Sequence, residues 1–236
     1  MLNNIVLSID TSTPQSYVSV WKEGKFYSDS SCVKDSHNEL LSKLVSDVLL
    51  ESKTDSAELA ALIIGSGPGS FTGLRIGYAY AKGLSLALKI PINAYSTLES
   101  PAYTLLDLHK NTRLITLSQA GRAEYFVCDQ YLEETAVRLL QPSVVLKKDA
   151  LLDYLKRIKQ DILLMPVSGQ GLDSIFSAYA SVKPVCLSES LIRMHIKIGA
   201  ANPDFNLQAT ASMEPDYVRQ PLAKTLSDRG IDTPRF

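Results

Sequence analysis

The sequence predicts an α/β protein, and three features of its first hundred residues carry that expectation. Three short runs rich in Val, Ile, Tyr and Phe open the chain: Ile5–Asp10, Tyr17–Trp21 and Phe26–Ser31. Helix-like and strand-like segments then alternate as far as about residue 100. Between the apolar run Leu59–Ile64 and a helical pattern lies Gly65-Ser66-Gly67-Pro68-Gly69-Ser70-Phe71-Thr72-Gly73-Leu74-Arg75-Ile76-Gly77. Glycines at 65, 67, 69 and 73 mean backbone that turns tightly or is approached closely.

The elements follow in order. Thr13-Pro14-Gln15 and Lys22-Glu23-Gly24 separate the first three strands, which gives two successive hairpins. Ser36-x-x-Glu39 is a capping box. After it Leu40, Leu41, Leu44, Val45, Val48 and Leu49 recur at helical spacing. A strand over Leu59–Ile64, the glycine run, a helix over about Gly73–Leu88 and a strand over Ile92–Tyr95 come next. Ser96-x-x-Glu99 is a second capping box, opening a helix whose first turn tolerates Pro101. This βββαβαβ order is the repeating lobe of the actin-like ATPase (ASKHA) fold, an α/β architecture of two lobes, each a mixed five-stranded sheet flanked by helices.

Residues 1–110 are expected to form the first lobe and residues 111–220 a second, divergent one. There Leu114–Leu117 and Tyr125–Gln130 read as strands around the polar turn Ser118-Gln119-Ala120-Gly121-Arg122. Ala150–Ile158 reads as a helix and Ile162–Val167 as a short strand. Residues 221–236, polar and carrying Gly230 and Pro234, read as a flexible tail.

Composition narrows the function classes. The chain has 236 residues, of which 45% are hydrophobic and 21% charged, with a net charge of −1. A protein that gripped RNA alone would be basic, because phosphate contacts dominate affinity; any RNA is therefore expected to be held indirectly, through a partner. Cys32, Cys128 and Cys186 are widely spaced, which argues against a disulfide framework or a zinc site and suits a reducing cytoplasm. No cationic leader precedes Asp10, and the uncharged run Leu59–Leu74 is too short and too glycine-rich to span a bilayer, so neither secretion nor a membrane is expected.

The glycine run does not fit the common phosphate loops. A Walker loop ends in Lys followed by Ser or Thr, and the nearest basic residue here is Arg75. A dinucleotide fingerprint starting at Gly65 and Gly67 would need a third glycine where Ser70 stands, and an acid within the uncharged stretch Ile90–Leu98. Gly-x-Ser-x-Gly is absent, which removes the usual hydrolase elbow.

Two further features bear on function. Asp10 ends the first strand, the place where actin-like ATPases carry a metal-linked acid. Asp10, Thr11 and Arg75 are thus candidate nucleotide-binding residues for an autonomous ATPase or small-molecule kinase; the other reading is an Asp10 that caps the Thr11–Thr13 turn. The Ser118–Arg122 turn carries no second acid, and an Asp10→Ala chain is expected to keep its fold. The helix after the loop has two stripes of small residues, Gly73, Gly77, Ala81 and Ala79, Gly83, Ala87, each of which permits close approach of a neighbour. Glycine costs roughly 1 kcal/mol inside a helix. Gly73, Gly77, Ala81, Gly83 and Leu84, with Leu41 and Val45 of the preceding helix, are therefore candidates for a subunit interface.

The glycine run closely resembles the signature of the TsaB family, a subunit of the bacterial machinery that makes threonylcarbamoyladenosine in tRNA. The opening Ile5–Thr13 resembles that family's first strand and Asp-Thr-Ser-Thr turn, and His37-Asn38-Glu39-Leu40-Leu41 its helix start. Ala81-Lys82-Gly83-Leu84 and Ser96-Thr97-Leu98-Glu99 continue the match, which thins after residue 100 to Glu124, Tyr125 and Pro215-Asp216-Tyr217-Val218-Arg219. The resemblance implies a non-catalytic subunit without a catalytic residue or metal of its own. It would bind and stabilise the catalytic TsaD subunit, with a TsaE-like ATPase in the same complex, and pair with itself when alone. It also leaves room for ATP or ADP at the interface with the catalytic subunit. The metal-binding histidines of TsaD fall by position on Thr97 and Pro101, and where the family shows Asp-Ala-Arg this chain has Gln119-Ala120-Gly121 before Arg122.

Overall fold

A computed structural model describes residues 5–32, 37–121, 123–168, 179–181, 183–200 and 203–218. β1 (Ile5–Asp10), β2 (Gln15–Lys22) and β3 (Lys25–Cys32) form an antiparallel meander. α1 (His37–Glu51) leads to β4 (Leu59–Gly67), α2 (Phe71–Leu88) leads to β5 (Ile92–Ser96), and both strands add in parallel beside β1. The sheet order is β3-β2-β1-β4-β5. Val6 and Leu7, neighbours in sequence, point to opposite faces of β1 and are both fully buried. Leu7 and Ile9 meet Leu41, Val45 and Val48 of α1 and Tyr78 and Ala81 of α2. Val6 joins Ala61, Ile63 and, from far along the chain, Leu191 and Ile192.

The second sheet repeats the plan. α3 (Pro101–Leu105) precedes the meander β6 (Thr112–Gly121), β7 (Glu124–Leu132) and β8 (Val137–Lys147). After α4 (Lys148–Arg157), β9 (Ile162–Ser168) and the two-residue β10 (Ala180–Ser181) add in parallel, giving the order β10-β9-β6-β7-β8. Read outward from β1 or β6, the two sheets have the same order and the same strand directions. That duplication is the actin-like two-lobe plan.

Chain order and packing part company after residue 181. α5 (Leu187–Lys197) returns to the first sheet, with Leu191 and Ile192 against Val6 and Ile63, although it comes from the stretch expected in the second lobe. Together α3 and α5 lie between the lobes, tied by the hydroxyls of Thr104 and Ser190 at 2.9 Å and by a 2.8 Å ion pair from Lys197 to Asp107. α6 (Leu207–Ser212) lies beside α2, where Lys82 donates to the Ala211 carbonyl at 2.9 Å.

Some boundaries differ from those read in the sequence. β4 runs on through Gly65 to Gly67, because these glycines pair with Tyr95 and Ser96 of β5 across a bulge. Ser96 accepts from the Glu99 N–H at 3.3 Å, but the helix starts only at Pro101, so the box closes a turn and does not cap the helix. Ser36 of the other box, Arg122 and residues 221–236 lie outside the described residues. Gln119, Ala120 and Gly121 belong to β6.

On the α4 side of the second sheet the Asp129 carboxylate is fully buried. It accepts from Arg113 Nε at 2.9 Å and Nη2 at 2.6 Å, and from the Tyr154 hydroxyl. Removing one partner of a buried ion pair costs about 3–5 kcal/mol, whereas replacing the pair by apolar groups is often neutral. Arg113→Met should therefore lower stability by about that amount in chemical denaturation, and Arg113→Met with Asp129→Leu should recover most of it. Equal stability of the single and double variants would show that the pair does not matter.

Candidate functional site

The glycine run and the strand-end acid meet, but as parts of one packed joint. Asp10 is fully buried. Its Oδ1 accepts from the Ser12 N–H at 2.9 Å and the Ser12 hydroxyl at 2.6 Å, and its Oδ2 accepts from the Thr97 hydroxyl at 2.9 Å. Burial raises the Asp10 pKa above the ordinary carboxylate value, opposed by the hydrogen bonds from Ser12 and Thr97. Thr11 donates its hydroxyl to the Gly73 carbonyl at 2.7 Å, and the Ser70 N–H donates to the Ser12 carbonyl at 2.6 Å. β1 therefore ends in a turn that grips the start of α2.

The glycines make that grip possible. A Cβ on Gly65 would stand 2.0 Å from Asp10 Oδ2, one on Gly69 2.1 Å from the Ser12 carbonyl, and one on Gly73 2.0 Å from the Thr11 carbonyl. At Gly77 it would meet the Thr11 hydroxyl at 2.3 Å. Gly67 has φ +102°, in the left-handed region open to glycine. Three of the four contacts are with backbone or a buried carboxylate, groups that cannot swing aside. The run thus packs backbone against backbone.

A strap closes the joint from the far end of the chain. The Asp216 N–H donates to the Ser66 carbonyl at 2.8 Å, Tyr217 stacks on Phe71 with ring centroids 5.0 Å apart, and Met213 packs into the core beneath α2. Glu99 lies nearby; burial raises its pKa, with the Asp216 charge adding to the shift and the Ser96 hydroxyl opposing it.

The predicted site residues separate accordingly. Of the nucleotide candidates, Asp10 and Thr11 are buried and their side chains hydrogen-bond within the chain itself. Arg75 is exposed on the other side of α2, with its guanidinium 4.0 Å from the Phe71 ring centroid. Of the interface candidates, Gly73, Gly77, Ala81, Leu41 and Val45 are buried inside the first lobe. Leu84 is half-buried against the same core. Gly83 faces outward, with open space where a Cβ would stand, and Phe71, Arg75, Ala79 and Leu86 are exposed on the same helix. One small-residue stripe thus serves the sheet; the other is exposed and flanked by α6 and the strap, whose Met213, Glu214 and Tyr217 line a recess with Arg75 and Ala79.

Thr97, one of the two positions on which the TsaD histidines fall, is the second partner of Asp10. Pro101 starts α3 and is buried. Among the described residues no three His, Cys, Asp or Glu side chains come together as a metal site would require, and no helix is long and apolar enough to cross a membrane. The strap residues Asp216 and Tyr217 stood in the late Pro-Asp-Tyr-Val-Arg match, but no local pattern tied them to the glycine run.

Asp10 yields a pH prediction. Each buried donor left without a partner costs about 1–3 kcal/mol, so Asp10→Ala, which strands Ser12 and Thr97, should lower the melting temperature by several degrees. This revises the sequence-based expectation of an unperturbed fold. Unfolded Asp10 titrates near 3.8 and the folded group higher, so between these values the folded chain holds the extra proton. Stability should then fall as pH rises from about 4 through the folded pKa, and level off above it. Asp10→Asn should remove that part of the decline in denaturation curves collected across pH; identical slopes for the two chains would count against the assignment.

The chain is similar to known proteins in both sequence and structure. Residues 31–226 match the family model described as "TsaD: tRNA N6-adenosine threonylcarbamoyltransferase". The tRNA threonylcarbamoyladenosine biosynthesis protein TsaB of Escherichia coli (strain K12) is 30% identical over 147 residues, which cover 59% of this chain and 64% of the relative. TsaB of Buchnera aphidicola subsp. Schizaphis graminum is 29% identical over 166 residues, 70% of this chain and 79% of that protein. The match thus spans under two thirds of the E. coli relative's length. Among solved structures, YeaZ from Pseudomonas aeruginosa superposes with a TM-score of 0.72 over 91% of this chain and 99% of that one, at 22% identity, and so shares the fold. The chain belongs to the family that the TsaD model describes, and within it to the TsaB/YeaZ branch.

Proposed function

We propose that this chain is a non-catalytic subunit of the complex that forms threonylcarbamoyladenosine next to the anticodon of tRNA, where it binds and stabilises the catalytic TsaD-like subunit. One observation carries the reading: Asp10, which stands where an ATPase of this fold would hold its metal-linked acid, has both carboxylate oxygens committed to Ser12 and Thr97. The alternative, an autonomous ATPase or small-molecule kinase using Asp10, would need that carboxylate free. The names of the relatives support the tRNA modification itself.

The partner surface in this reading is the outward side of α2, where Gly83 and Ala79 allow close approach and Phe71 and Arg75 supply an aromatic anchor and a charge. Alone, the chain would use the same face to pair with a second copy. No cofactor of its own is required; ATP or ADP, where it takes part, sits at the interface with the catalytic subunit. A TsaE-like ATPase completes the complex, tRNA reaches it chiefly through TsaD, and the setting is the cytoplasm.

Gly83→Trp tests the surface without touching the core, since beyond the neighbouring helix backbone nothing lies within 4 Å of where its Cβ would stand. The variant should melt like the parent yet lose co-purification with the TsaD-like subunit of the same organism by at least tenfold, with a matching loss of tRNA modification in a reconstituted assay. Unchanged co-purification would move the interface away from α2.

A further inference from the structure

The second lobe carries a cationic recess that the α2 surface does not involve. Arg113, Tyr154, Arg157, Ile158, Lys159 and Gln160 line an open depression of ≈ 550 Å³ where α4 ends and β9 begins. Two levels of organisation set it apart from scattered surface charge. At its base the buried Asp129 carboxylate takes Nε and Nη2 of Arg113, which neutralises that pair and fixes the guanidinium plane. Tyr154 locks the same carboxylate from α4. No hydrogen bond from Arg113 Nη1 is found among the described residues. At the rim Arg157 and Lys159 are exposed, and neither makes an ion pair among the described residues.

The charge balance favours an anion. Arg113 and Asp129 cancel, which leaves Arg157 and Lys159 on the lining. The carbonyl end of α4 contributes roughly half a negative charge, less than either cation alone. Asp153 and Asp161 flank these residues in sequence but neither lines the recess. Arg157 offers a planar fork suited to two oxygens of one phosphate, Lys159 a point charge, and Gln160 a neutral donor. A chain with a net charge of −1 does not concentrate unpaired cations on one recess through its overall composition.

We infer that this recess is a phosphate-binding site, and that its occupant is the phosphodiester backbone of RNA. The inference deepens the tRNA reading given above and rests on it: the subunit would touch the RNA directly from its second lobe, while most of the grip still comes from the partner. A free phosphate compound carries the same chemistry and is the other source to be separated.

The experiment compares the full chain with an Arg157→Glu/Lys159→Glu chain and with a Lys25→Glu/Lys43→Glu control, which changes the net charge equally on the first lobe. Arg113 is left intact, so Asp129 keeps its partner. Binding of a fluorescently labelled unmodified tRNA transcript is read by anisotropy at several salt concentrations, and binding of inorganic phosphate and ATP by phosphorus NMR line broadening. Co-purification with the TsaD-like subunit is recorded in parallel. We expect the recess variant to bind the transcript at least tenfold more weakly, its log–log salt slope to shrink by about 2, and the control to change less than twofold. Broadening of phosphate or ATP that only the recess variant loses, with no transcript binding by any chain, would keep the site and assign it to a free phosphate compound. Equal binding of every probe by recess variant and parent would overturn the proposal. Because pairing with the TsaD-like subunit is read separately, a failure of the subunit reading would show there and leave the chain-alone RNA result standing.

Discussion

The rest of the first lobe hangs on a backbone-to-backbone contact. The turn after β1 and the first turn of α2 approach until Thr11, Ser12 and the glycine run share hydrogen bonds in both directions. Side chains at positions 65, 69 or 73 would fill that space, so the glycines are the condition for the contact. Once α2 is held there, one side of it is committed to the sheet and the other is turned out. The strap around Asp216 reinforces the same joint from the C-terminal side, and the buried Asp10 hydrogen bonds seal it from within. The glycine run is thus a structural clamp that joins β1 to α2.

The two lobes answer the same topology with different chemistry. In the first, both faces of β1 and β4 are covered by helices, and the strands read as nearly continuous apolar runs. In the second, the face under α4 includes a buried ion pair, while the edge strand β8 is mostly exposed or half-exposed. α3 and α5 fill the space between the sheets, so neither lobe's core is complete without a helix from the other half of the chain. Leu187, in the core of the second sheet, sits four residues before Leu191 in that of the first.

The first lobe was legible because its signals are local. Ile5–Asp10, Leu59–Ile64 and the glycine run each announce their element by composition and period, and the order βββαβαβ does the rest. The second lobe was less legible for reasons that can be named. β8 contains Gln141 and Pro142 and lies at a sheet edge, where alternation is weak because only one neighbour constrains it. α5 was missed although Leu187, Leu191 and Ile192 are spaced for one face, since its partners Val6 and Ile63 are more than a hundred residues away. The two stripes of α2 were visible in sequence, but choosing the outward one required the position of Thr11. In the same way the carboxylate of Asp10 could be read as a ligand or a cap until Thr97 was seen to meet it.

Central to the proposed function is the claim that Asp10 is structural and the chain performs no nucleotide chemistry of its own. Its most direct test is ATP turnover by the isolated, full-length chain with magnesium present, beside the same chain carrying Asp10→Asn. The expected result is no turnover above background from either chain. Hydrolysis by the parent that disappears in the Asn variant while the fold is retained would contradict the claim, and would return Asp10 to the metal-linked acid of a nucleotide site.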